Sequence, residues 1–90
     1  VENRLQNETV AAAEHAIDAL GRGDPAGARM AIAVAVEIDR TGIVARLADA
    51  VFLAASELES DSEISDGTWN QLCDAVGPGP LMALVERVRG

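Results

Sequence analysis

The chain has 90 residues, room for one small domain with a single modest core. Fifteen Asp and Glu against seven arginines, with no lysine, give a formal charge of −8. That opposes nucleic-acid binding, which needs a basic face to neutralise phosphates. Alanine fills 17 positions and Phe52 and Trp69 are the only aromatics, a composition against an all-β domain.

Apolar residues recur at spacings of three and four along most of the chain, the mark of amphipathic helices. The first predicted helix runs from about Glu2 to Leu20. Leu5, Thr9, Ala12, Ala13, Ala16, Ile17 and Leu20 form its inner stripe, with Glu8, Glu14 and Asp18 facing water. Gly21-Arg22-Gly23 ends it, because glycine tolerates the left-handed backbone of a helix terminus. Asp24 then caps a second helix and Pro25 takes its first position, where no N–H is needed.

This second helix is expected to reach about Arg40. Its middle, Met30 to Val36, is apolar around most of its circumference. Such a helix is either central to its bundle or covered on one face by a second subunit. Thr41 is the expected cap of a third helix, from Gly42 to about Leu58. Val44, Leu47, Val51, Ala54, Ala55 and Leu58 lie on its inner face, with Arg46 and Asp49 outside.

The polar stretch Glu59 to Glu63 reads as a mobile loop. Ser65 caps a fourth helix, with Ile64 before the cap and Trp69 at the fourth helical position, the spacing of a hydrophobic staple. Trp69, Leu72, Cys73 and Val76 face inward until Gly77. Pro78-Gly79-Pro80 forces a turn into a short last helix carrying Leu81, Leu84, Val85 and Val88. Arg87 and Arg89 there complement the negative helix end. The prediction is one all-α domain over residues 1–90, a bundle of about five helices.

Two stretches resemble known families. Ala16, Gly23-Asp24, Ala28, Ala35 and Val36-Glu37-Ile38-Asp39 fall at the spacing of a tetratricopeptide repeat. With one copy between Ala16 and Asp39, the resemblance implies a helical hairpin, since a solenoid needs several repeats. Leu53-Ala-Ala-Ser-Glu-Leu58 followed by Ile64-Ser-Asp-Gly-Thr-Trp69-Asn-Gln-Leu72 resembles a segment of the carboxymuconolactone decarboxylase and alkylhydroperoxidase-like helical proteins. The peroxidase members of that family use a Cys-x-x-Cys pair, and Cys73 is the sole cysteine, so no catalytic residue carries over.

Residues able to do chemistry are few. Cys73 lies near a helix end beside Asp74, without the cationic neighbour that activates a thiol, and reads as a core residue. His15 has no histidine or cysteine at ligand spacing and reads as a boundary residue. Glu57, Glu59, Asp61, Glu63 and Asp66 form the densest acidic stretch, which could hold a weak divalent ion. Aligned as a calcium loop from Asp61, however, it puts Asp66 where glycine is required and Leu72 where a bidentate Glu belongs.

We therefore expect no catalytic residue, cofactor or metal. The expected function is a non-enzymatic protein-interaction or self-association module, binding another protein or itself as a homodimer. Its expected surface comprises Met30, Ile32, Val34, Val36 and Phe52. The alternative is an alkylhydroperoxidase-like protein with a small-molecule pocket near Trp69 and Cys73. The longest apolar runs are far below the ~20 residues of a membrane span. The start Val1-Glu2-Asn3-Arg4 does not read as a secretory leader and a lone cysteine gives no disulfide, so the expected location is cytoplasmic.

Overall fold

The computed structural model describes residues 7–40, 42–61, 63–77 and 80–89. Among them the chain forms five helices: α1 (Asn7–Gly21), α2 (Pro25–Ile38), α3 (Gly42–Asp61), α4 (Asp66–Val76) and α5 (Pro80–Arg89). The protein is a small all-α bundle, and no helix among the described residues is long and apolar enough to cross a membrane. Leu5, the expected cap Thr41, Ser62 and the expected turn residues Pro78 and Gly79 lie outside the described residues.

Helix α1 is the hub, touching α2, α3 and α5, and α3 links it to α4. Its stripe of Thr9, Ala12, Ala13, Ala16, Ile17 and Leu20 is buried, joined by Ala19. Alanine keeps the helix axes close, while Ile17, Ile32, Val44, Leu47, Val51, Leu72 and Val85 fill the remaining space. At the far end of α1 the Asp24 N–H donates to the Ala19 carbonyl (2.9 Å) and the Gly23 N–H to that of Leu20 (3.1 Å). Gly23 sits at φ +74°, the left-handed residue that this helix stop requires. Gly21 serves otherwise: a Cβ there would come 2.5 Å from Val88 Cγ1, so its lack of a side chain lets α5 approach.

The local signals at the starts of α2 and α4 hold. Asp24 Oδ1 accepts the Gly27 N–H (3.0 Å) with Pro25 opening α2, and Ser65 Oγ accepts the Thr68 N–H (3.3 Å) to cap α4. Ile64 and Trp69, the expected staple pair, are both in the core. Gly77 ends α4 at φ +59°. Helix α2 stops at Ile38, two residues early, where Asp39 turns extended and its N–H closes on the Ala35 carbonyl (2.9 Å).

One expectation is corrected. Glu59, Ser60 and Asp61 are not a loop: α3 runs through them. No glycine or proline interrupts them, and the Arg29 guanidinium from α2 reaches both Glu59 (2.7 Å) and Ser56 (3.2 Å), tying this last stretch to its neighbour. Of the two places expected for α2, central or with one face left for a second subunit, the bundle does not give it the central one. It is the most apolar of the five helices, yet among the described residues it lies at the edge of the bundle and touches only α1 and α3.

Candidate functional site

The position of α2 decides where exposed apolar surface collects. Ala28, Ile32 and Ala35 point into the core with no exposure. Turning about 100° per residue around the helix, Arg29 reaches toward α3. Met30 and Val34, one turn apart, point away from the bundle and are 72% and 52% exposed.

Ser56, which holds Arg29, marks the side of α3 that borders α2. Phe52, one turn before it, lies on that same border and is 40% exposed, and Leu53 turns further outward at 39%. Ala26 and Ala33 of α2 and Ala45 of α3 are exposed as well. The outer surface of the α2–α3 pair thus carries all four large apolar side chains that are exposed among the described residues.

Of the residues expected on an interaction surface, Met30, Val34 and Phe52 stand there. Ile32 does not, because it is fully buried, and Val36 is half-buried against the core. An apolar run with no polar residue inside it cannot reveal which of its members face outward. Leu53 was the residue missed; its only signal was membership of the apolar run Ala50 to Ala55.

The acidic stretch disperses into separate structural duties. The Glu57 carboxylate accepts the Ser65 N–H (2.9 Å), the Ser65 hydroxyl (3.2 Å) and the Thr68 hydroxyl (2.8 Å). These bonds clasp the start of α4 to α3. The Ser65 N–H, then the Thr68 hydroxyl, hold Glu57 below the usual carboxylate range against a smaller opposing effect of burial. Glu59 is lowered by its hydrogen bond from Arg29. Asp66 faces Arg89 of α5 at 3.5 Å, while Glu63 is exposed. Among the described residues, no three His, Cys, Asp or Glu side chains gather as a metal site would require.

The two remaining candidates for chemistry lie apart. Cys73 is half-buried on α4, packed against the core. His15 is exposed on α1 and lines an open depression between α1 and α5 with Glu14, Asp18, Ala83, Leu84 and Arg87. A second open depression, of about 360 Å³, lies where the ends of α1, α3 and α5 meet the start of α4. Leu20, Leu58, Ile64, Trp69 and Val88 supply its apolar wall, and Glu63, Asp66 and Arg89 its polar one. Neither depression includes Cys73. Comparison with protein-family models, with curated proteins and with solved structures gives no match for this chain.

Proposed function

We propose that this protein is a non-enzymatic interaction module, docking another protein or itself through the outer surface of α2 and α3. One observation carries the proposal: the most apolar helix sits at the edge of the bundle with Met30 and Val34 in water beside Phe52 and Leu53. Contiguous apolar patches on soluble proteins mark sites of association. The repeat-like hairpin is consistent with it, since Ala16, Ala28 and Ala35 are fully buried where α1 and α2 meet, the spacing role small residues have in such hairpins.

The test is differential capture with the tagged chain from its native cells, comparing wild type with M30E/V34E. Both positions are more than half exposed, so the substitutions leave the core intact. A partner, or a second copy of the chain, retained by wild type and lost by the variant supports the reading. An unchanged set of bound proteins contradicts it.

A second reading rests on the depression beside Trp69, whose mixed apolar and charged walls suit a small molecule. It extends the alkylhydroperoxidase-like resemblance, with Cys73 one turn from Trp69 on α4 but outside the depression itself. Peroxide-dependent oxidation of Cys73 in the intact protein, followed by mass, supports it. An unreactive thiol removes it.

A further inference from the structure

We infer that the outer face of α2 and α3 takes a basic amphipathic helix of another protein, an apolar stripe flanked by lysine or arginine. This rests on the docking role proposed above and names the occupant's chemistry. The exposed apolar side chains give the place, and the charges around them give the sign. The exposed residues of α2 are Ala26, Met30, Ala33, Val34 and Glu37, a single stripe at helical spacing. On α3, Asp49, Phe52, Leu53 and Ser56 continue the exposed surface. The bonds from Arg29 to Ser56 (3.2 Å) and Glu59 (2.7 Å) fix which side of α3 borders α2. From Ala26 to Glu37 the stripe runs about 16 Å, enough for about three turns of a docked helix. The described residues hold no strand whose edge a peptide could extend. A partner must therefore bind through side chains, as an amphipathic helix laid against apolar ridges does.

Exposed and half-buried side chains counted alike, α2, α3 and their connection carry Arg29, Arg40 and Arg46 against Glu37, Asp39, Asp49, Glu57 and Glu59. The face is net acidic. Two of its arginines are already engaged, Arg29 by Glu59 at 2.7 Å and Arg40 by Glu37 at 3.9 Å. Glu37 follows Val34 by one turn and Asp49 precedes Phe52 by one turn, so each apolar row ends on a carboxylate. The other described faces are acidic too, so charge alone does not choose the place. The apolar stripe does, since all four large exposed apolar side chains of the described residues lie here. Whatever covers them must approach a body of net charge −8. A second copy, an acidic protein or an anionic membrane meets repulsion on that approach. A cationic partner is drawn in over a Debye length of about 10 Å and finds opposite charge at the rim.

Three synthetic peptides of about 16 residues, each added to the full chain, supply the test. One has leucines at helical spacing with lysines between them, the second has glutamates for the lysines, and the third is a shuffled lysine peptide without the stripe. The lysine-striped peptide is expected to shift the NMR signals of Met30, Val34, Phe52 and Leu53. M30S/V34S keeps the charge and alters two positions more than half exposed. It is expected to weaken binding at least tenfold at unchanged helicity. E37Q/D49N is expected to weaken it at least threefold, as is raising salt from about 0.05 to 0.5 M. No shift at about 1 mM peptide, where even a millimolar affinity becomes visible, overturns the basic partner. So does a glutamate or shuffled peptide that binds as tightly, an affinity indifferent to salt, or a chain that self-associates through these four residues instead. If the glutamate peptide or a second copy occupies the face, the docking role stands and this inference alone falls. An unchanged set of captured proteins with M30E/V34E removes both.

Discussion

Glu57 and Thr9 show two opposite fates of a polar side chain near a core. Glu57 receives two hydroxyls and one backbone N–H from the start of α4. Hydrogen bonds to a charged group contribute about 1.5–3 kcal/mol, so E57A is expected to lower unfolding stability by about 2 kcal/mol, read by urea titration. The sign of the pH effect follows from the lowered Glu57 and Glu59 carboxyls. Their contribution is complete above the ordinary carboxylate value of 4.5 and is lost as pH falls through the lower folded-state values. E57Q is expected to flatten the loss of stability below that pH, and an acid limb as steep as the wild type's contradicts the clasp. The Thr9 hydroxyl, by contrast, is buried with no partner among the described residues. Replacing an unsatisfied buried hydroxyl with a methyl removes a desolvation cost, so T9V is expected to raise stability by about 1 kcal/mol.

At the scale of elements, what could be read from the sequence was what is local. Asp24-Pro25 and Ser65 name their helix starts because a cap bonds within three residues of itself. The end of α3 was hidden because Glu59-Ser60-Asp61 is polar without being helix-breaking, and its tie, Arg29, lies thirty residues earlier. Ile32 reads as an outward residue for a related reason: its run contains no polar residue to set the phase of the helix, and the structure buries it. Glu57 reads as one of a row of acids until Thr68, eleven residues on, is folded against it. Gly21 reads as a helix stop, but its further duty depends on α5. G21A is expected to force Val88 aside and destabilise the bundle by about 1–3 kcal/mol, the usual cost of overpacking. The same substitution at a position with open space around it would be mild, so a neutral G21A contradicts the close approach.

For the molecule as a whole, the arrangement of helices turned a two-sided expectation into one question. An apolar α2 was to be either central or covered from outside, and the fold puts it at the edge, with α1 at the hub. The core could be read largely from its alanine-rich stripes, whereas the docking face could be read only in part, since exposure of Met30, Val34, Phe52 and Leu53 depends on which helices flank them. His15 lines one depression and Cys73 neither, while Glu57, Glu59 and Asp66 of the acidic stretch tie neighbouring helices together.

The most direct measurement is a series of methyl and indole NMR spectra of the full chain as the lysine-striped peptide is added. The methyl signals of Met30, Val34 and Leu53 are expected to move with concentration, while the Trp69 indole and His15 signals stay fixed. Stationary Met30, Val34 and Leu53 signals across the series, or movement confined to Trp69 and its neighbours, contradict association through the α2–α3 face.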